Sequence, residues 1–276
     1  MEKTLFVTDL DGTLLNGKQR INPQSIEIIN SLIEKGLLFT YATARSLASA
    51  SIVTEGLNVR VPVVTFNGTF ICEASTGKIL SQEMFNEVEI EKIKAVLESY
   101  GVSFQVYSLI NHVEKVSWFT EKENEGIRRY AEERKGDKRL RPVKDGKELY
   151  KGNMFYFSCI GEKEELKPVY DVFSKDERYR CILYQDIYST DFWCEIMPAN
   201  ATKANAIKKL KENMGCSRVI SFGDAVNDIP MFEISDEAYA VENAVEELKA
   251  LATGVIAGNE DDGVAIWLKE NAEGKF

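Results

Sequence analysis

Thr4-Leu-Phe-Val-Thr-Asp9-Leu-Asp11-Gly12-Thr-Leu14 is the stretch around which this 276-residue chain is organised. Leu5, Phe6 and Val7 form the short apolar run expected of a strand buried on both faces. The run stops at Asp9, and Asp11 and Gly12 follow at once. Carboxylates at the end of a buried strand cost desolvation energy unless something compensates them. A divalent cation is the natural compensation, and magnesium takes oxygen ligands. Ligands of an open parallel sheet bind just beyond the carboxyl ends of its strands. The stretch therefore reads as the floor of an active site; an acidic turn after a strand is the plainer alternative.

The residues that follow support a parallel sheet. Asn22-Pro23 opens a helix with Ile26, Ile29 and Ile33 at helical spacing, and Gly36 closes it. An apolar strand over 37–42 ends at Thr43-Ala44-Arg45, a helix over 46–55 ends at Gly56, and a strand over 61–66 ends at Asn67-Gly68. This alternation predicts an α/β fold with right-handed crossovers and all strand ends on one edge.

The rhythm changes after Asn67. Segments 70–73 and 79–83 read as a hairpin, and 87–100 as an amphipathic helix with Ile90, Ile93 and Leu97 on one face. A half-buried strand over 102–107 is expected to pair with 112–116, followed by a polar helix over 121–134. The run from 134 to 151, rich in Lys, Arg and Gly, reads as a solvated loop. A strand over 153–160, a helix over 162–174 and strands over 180–184 and 188–196 follow. These predict a separate α+β unit, residues 84–189, inserted into a first domain made of 1–83 and 190–276. The parallel rhythm resumes with a helix over 202–213 that carries Lys203 at its start. A strand over 218–222 then ends at Gly223-Asp224-Ala-Val-Asn227-Asp228, with shorter elements to the C-terminus.

Composition narrows the function. The chain is 44% hydrophobic and 28% charged, as a soluble globular protein is. A formal net charge of −10 argues against nucleic acid or an anionic membrane as partner, yet leaves room for a small anionic substrate in a local basic pocket. The apolar runs are too short for a membrane span and the start lacks a signal-peptide pattern, so a cytoplasmic location is expected. The five cysteines are scattered, with no Cys-x-x-Cys pair, and read as small buried hydrophobes. His112, the single histidine, is assigned no role. Chemistry must run on carboxylates, lysine and metal.

Four motifs now stand at strand ends or at a helix start: Asp9-Leu-Asp11, Thr43, Lys203, and Gly223 to Asp228. Singly, Thr43 is a helix cap, Lys203 a solvated lysine and 224–228 a capped turn. Together and in this order, they resemble the four motifs of the haloacid dehalogenase superfamily. The match covers Asp9, Asp11, Gly12, Thr13, Ala42 to Arg45, Asn67-Gly68, Lys203 and Gly223 to Asp228. It is most similar to the Cof-type branch, small-molecule phosphatases with a large C2 cap of subtype B between the second and third motifs. The implied fold is a Rossmann-like, doubly wound parallel sheet with an inserted α+β cap. One departure lies in Asn200-Ala201-Thr202-Lys203-Ala204, where the family often has a Gly-Val turn before the lysine and glycine after it. That departure leaves the shape of this loop open.

The resemblance implies roles. Asp9 attacks phosphorus to form an aspartyl-phosphate. Mg2+ takes side-chain oxygens of Asp9 and Asp224 and the backbone carbonyl of Asp11, with Asp228 behind those ligands. Thr43 and the N–H groups around Gly12 hold the phosphoryl oxygens, and Lys203 offsets the repulsion between Asp9 and the phosphate. Asn227 orients Asp9 or Lys203, while Asn67 and Arg45 border the pocket. Asp11 protonates the leaving alcohol and then deprotonates water. That second aspartate favours phosphoryl transfer over dehalogenation, whose halide leaving group needs no acid.

The expected substrate is a small phosphorylated metabolite, sugar phosphates first and cofactor phosphates such as pyridoxal phosphate next. A sugar phosphomutase is the alternative within the fold, and a two-component receiver the alternative outside enzymes. The receiver fits poorly: it has about half this length and no inserted cap. The cap is expected to select the substrate. Its Tyr107, Tyr184, Tyr188 and Trp193 read either as pocket or as core, and Lys151 as a solvated lysine. Monomer and dimer are both open.

Overall fold

The computed structural model describes residues 3–185 and 190–276. β1 (Thr4–Thr8) is buried along its whole length, as a strand inside a parallel sheet must be. The chain turns sharply through Asp9 to Leu14 and enters α1 (Pro23–Glu34). Asn22 occupies the cap position of α1, but its side chain is used elsewhere: Oδ1 accepts from Asn16 and Nδ2 donates to Asp262. β2 (Leu38–Tyr41) pairs in parallel with β1, and α2 (Leu47–Val53) begins at Ser46, whose hydroxyl accepts from the Ser49 N–H.

The third expected strand is shorter and differently paired. β3 (Val63–Thr65) runs antiparallel to β4 (Phe70–Cys72), which pairs with β5 (Ile79–Gln82). β3 joins the parallel sheet through an isolated bridge between Ala42 and Val64.

Residues 83–200 form a second compact unit with its own core. Its elements are α3 (Glu87–Tyr100), β6 (Phe104–Ile110), β7 (Val113–Phe119), α4 (Glu125–Glu133), β8 (Leu140–Val143), β9 (Asn153–Gly161), α5 (Lys163–Phe173), β10 (Tyr179–Gln185) and β11 (Phe192–Pro198). The six strands lie in the order β10-β11-β9-β6-β7-β8. Ile93 and Leu97 of α3 and Phe173 of α5 pack with Val106, Phe157 and Ile196 of the sheet.

Four expectations are corrected here. The run over 134–151 is not simply a loop: β8 pairs in parallel with β7, and Arg141 bonds Ser117 and the Glu148 carbonyl. β6 is buried on both faces rather than one, since Val106 faces the helical core while the Tyr107 hydroxyl meets that of Tyr130 in α4. The polar helix starts only at Glu125, where Asn124 accepts from the Ile127 N–H. β11 pairs with β10 and β9, so the unit ends at Asn200 and not at 189. Tyr188 lies outside the described residues.

The other unit comprises residues 1–82 and 201–276. It continues through α6 (Lys203–Asn213), β12 (Arg218–Gly223), α7 (Ile229–Glu233), β13 (Glu237–Val241), α8 (Glu246–Lys249), β14 (Gly254–Ile256) and α9 (Gly263–Asn271). Its sheet has the order β14-β13-β12-β1-β2, every pair parallel. β1 lies between β2 on one side and β12 on the other, so the strand order reverses beside it. Such a switch point opens a crevice at the carboxyl ends of the strands. Among the described residues no helix is long and apolar enough to cross a membrane.

Candidate active site

The crevice is floored by Asp9. Its backbone N–H donates to the Phe222 carbonyl at 3.0 Å, which sets the end of β1 beside the end of β12 and Asp9 close to Asp224. Lys203 enters from the first turn of α6. Its Nζ lies 2.8 Å from Asp9 Oδ1 and 2.7 Å from Asp228 Oδ1, and the lysine is 2% exposed. The second Asp228 oxygen accepts from the backbone N–H groups of Asp224 and Ala225 at 3.1 and 3.2 Å. Asp228 thus clamps both the lysine and the turn that carries Asp224. Asp224 Oδ1 in turn accepts from the Thr13 hydroxyl at 2.9 Å.

Two glycines make these approaches possible. Gly12 has φ +75°, and a Cβ there would sit 2.3 Å from Asp224 Oδ2. Gly68 has φ +103°, and a Cβ there would sit 2.1 Å from the Thr202 carbonyl oxygen, one residue before Lys203. Thr202 caps α6 by accepting from the Asn205 N–H. The departure at residues 200–204 therefore still yields a capped helix start with a buried lysine.

The remaining expected residues are tied to this group. Thr43 is fully buried after β2; its hydroxyl accepts from the Arg45 N–H, and its carbonyl accepts from the Asn67 N–H. Asn67 is buried with φ +53°, and its Oδ1 is 3.5 Å from Asn227 Nδ2. Arg45 forks onto the half-exposed Asp11 carboxylate. Asn243 was not anticipated: its amide donates to the Gly12 carbonyl at 2.7 Å and accepts from the Asn259 N–H. Its signal is a polar residue just beyond an apolar strand, like the Asp9, Thr43 and Asp224 motifs. In the second unit, Tyr107 is buried against Tyr156, as core, while the half-buried Trp193 packs on Tyr130. Tyr184 bonds Glu195, and Lys151 pairs with Glu148 at the surface.

The electrostatics explain what the cluster needs. Burial pushes the Asp9 carboxyl well above the usual carboxylate range; Lys203 pulls it down, while Asp228 and Asp224 push it further up. Burial, then Asp228, raises Asp224 to about 6 against the pull of Thr13 and Lys203. Burial alone would lower Lys203, but Asp228 and Asp9 together raise it, so it stays protonated. With all three carboxylates ionised, the one ammonium would leave two negative charges uncompensated. Oxygens of Asp9, Asp224 and Asp228 lie within 4.8 Å of one another. A hard divalent cation with oxygen ligands fits that donor set and that charge.

Comparison with known proteins gives the family. A family model described as haloacid dehalogenase-like hydrolase matches residues 6–268. The 5-amino-6-(5-phospho-D-ribitylamino)uracil phosphatase YwtE of Bacillus subtilis is 26% identical over 291 residues, covering 97% of this chain and 98% of its own. YitU of the same organism, which carries the same activity name, is 26% identical over 275 residues, covering 96% of each chain. The crystal structure of TM0651 from Thermotoga maritima superposes with a TM-score of 0.79 at 26% identity, covering 98% of this chain and 97% of that one. A haloacid dehalogenase-like hydrolase from Bacteroides thetaiotaomicron shares the fold, with a TM-score of 0.78 at 22% identity over 98% of this chain and 99% of that one. With its motifs gathered at one switch point and the family match running nearly end to end, the chain belongs to the haloacid dehalogenase-like hydrolases.

Proposed function

We propose that the protein is a magnesium-dependent phosphatase of the Cof type, hydrolysing small phosphate monoesters, sugar phosphates first and cofactor phosphates next. The observation that carries this reading is the buried Asp9–Lys203–Asp228 group beside Asp224, with a second carboxylate, Asp11, two residues from Asp9. The phosphatase names of the B. subtilis relatives support it, and the substrate in those names is itself a small phosphate monoester.

Asp9, Asp224 and the Asp11 carbonyl would hold Mg2+, which supplies charge neutralisation at the phosphoryl group. Asp9 attacks phosphorus, the bond from phosphorus to the ester oxygen breaks, and Asp11 gives that oxygen a proton. Water then attacks phosphorus of the phosphoryl-aspartate as Asp11 takes its proton, the bond from phosphorus to the Asp9 oxygen breaks, and inorganic phosphate leaves with Asp9 regenerated as a carboxylate. Lys203 lowers the repulsion between the Asp9 carboxylate and the phosphate dianion, which is about 4 kcal/mol per charge pair at 4 Å and an effective dielectric of 20. Thr43 and the N–H groups near Gly12 hold the phosphoryl oxygens, Asn227 orients Asp9 or Lys203, and Arg45 and Asn67 border the pocket. We assign the choice of substrate to the unit spanning 83–200. The test is phosphate release from a panel of sugar, cofactor and nucleoside monophosphates with Mg2+. Release from at least one sugar or cofactor phosphate is expected; a protein inert on all of them, or one faster on phosphopeptides, would refute the reading.

A further inference from the structure

We propose that Arg45 is the positioning residue that aims the Asp11 carboxyl group, which carries the proton in this step, at the leaving-group oxygen; this deepens, and rests on, the phosphatase reading above. Arg45 Nε donates to Asp11 Oδ2 at 2.7 Å and Nη2 to Asp11 Oδ1 at 2.6 Å. Two parallel bonds from a rigid planar fork fix a carboxylate in both direction and tilt, which a single bond does not. The arginine is itself braced. Nη1 donates to the Ser49 hydroxyl and Nη2 to Gln19 Oε1, each at 3.1 Å. Its backbone is pinned too: its N–H donates to the Thr43 hydroxyl and its carbonyl accepts from Phe66.

The asymmetry of the pair shows which partner guides the other. The Arg45 side chain is 18% exposed and the Asp11 side chain 49%. An aspartate half in solvent has several open rotamers, and the better-packed arginine selects one. Asp9, the proposed nucleophile, is buried and held by Lys203, so it needs no such guide. Proton transfer requires heavy atoms within hydrogen-bond reach, so a misdirected Asp11 fails even when every other part is intact. The segment Thr43–Arg45 thus serves both ends of the breaking bond, with Thr43 on the phosphoryl side and Arg45, through Asp11, on the alcohol side.

The test is a leaving-group series on the full-length protein with Mg2+: p-nitrophenyl, phenyl and ethyl phosphate, for wild type, Arg45→Gln, Arg45→Lys, Asp11→Ala and Asp11→Ala/Arg45→Gln. An activated aryl leaving group needs little protonation, and an alkoxide needs it most. Arg45→Gln is expected to lose ~100-fold in kcat/KM on ethyl phosphate, at the lower end of what general acid–base catalysis supplies, and no more than ~threefold in kcat/KM on p-nitrophenyl phosphate, because kcat/KM stops at the first phosphoryl transfer and leaves out the later Asp11-assisted attack of water. Arg45→Lys keeps the charge without the fork and should recover only part of the loss. In the Asp11→Ala background the arginine change should cost nothing further, because the two act as one unit. A uniform loss across the series carried by KM would make Arg45 a phosphate binder and overturn the proposal. Additive losses in the double variant, or full rescue by lysine, would overturn it as well. Wild type inert on all three esters would instead bring down the phosphatase reading itself, and this proposal with it.

Discussion

Lys203 Nζ sits 2.8 Å from Asp9 Oδ1 with the two side chains 1% and 7% exposed, an ion pair sealed inside the end of a parallel sheet. The same ammonium bonds Asp228, whose side chain is fully buried. Removing one member of a buried pair leaves its partners charged and unpaired, at a cost of about 3–5 kcal/mol. Lys203→Met should therefore lose turnover and lower the unfolding free energy read from urea melts by an amount of that order. A variant as stable as wild type would show that the pair is not held as described.

Metal binding should stabilise the fold in a pH-dependent way. Asp224 is raised to about 6, by burial first and Asp228 second, from an ordinary value of 3.8. Between those values the folded state binds more protons than the unfolded state, so metal-free stability falls as pH rises through the window. The penalty is absent below the ordinary value and complete above about 6. Asp9 is shifted in the same direction, by burial first and by Asp228 and Asp224 against the pull of Lys203. A divalent cation takes the proton's place, so Mg2+ should raise Tm clearly at pH 7.5 and little near pH 4. Equal shifts at both pH values would contradict this account.

Asp9 and Asp11 should separate in kinetics. Asp9→Asn is expected to abolish turnover and phosphoryl transfer to the enzyme. Asp11→Ala is expected to slow both steps, least for aryl esters, and to let a phosphoryl-enzyme on the Asp9 peptide be caught by mass spectrometry. Substantial turnover by Asp9→Asn would remove the covalent route.

Gly68 offers a test of backbone approach. At φ +103°, with a Cβ only 2.1 Å from the Thr202 carbonyl, Gly68→Ala must push the start of α6 away. Clash plus strain should cost roughly 3 kcal/mol and reduce activity, since Lys203 moves with Thr202. Gly101→Ala is the control: φ is +66° but nothing lies within 4 Å, so only the left-handed backbone penalty of about 1–2 kcal/mol remains. Equal effects in denaturant melts would rule out the close contact.

Selectivity should follow the unit spanning 83–200, because Asp9, Asp11, Lys203, Asp224 and Asp228 all belong to the other unit. Replacing it with a Gly/Ser linker should leave slow cleavage of p-nitrophenyl phosphate and erase discrimination among metabolites. An unchanged substrate profile would refute the assignment.

Local pattern carried much of this. The apolar run Leu5–Val7 ending in Asp9, the amphipathic span of α3 and the order of the four motifs are all readable along the chain, because strands and helices obey short-range rules. β8 is not legible in the sequence because edge strands face water: Leu140-Arg-Pro-Val143 carries a charge and a proline and resembles a loop until β7 is beside it. The end of the inserted unit was misplaced for a related reason, since an apolar strand such as β11 looks alike in either sheet and only its partners decide.

The amino-acid sequence by itself determined the parallel core, the kinds of residue at its strand ends and hence the family. Tertiary structure alone decided which of those residues touch: Lys203 bridging Asp9 and Asp228, Thr13 and Asn243 holding the Asp224–Gly12 contact, and Arg45 gripping Asp11. Those partners are up to 231 residues apart, and their meeting depends on strand order and register. No local spacing rule contains either.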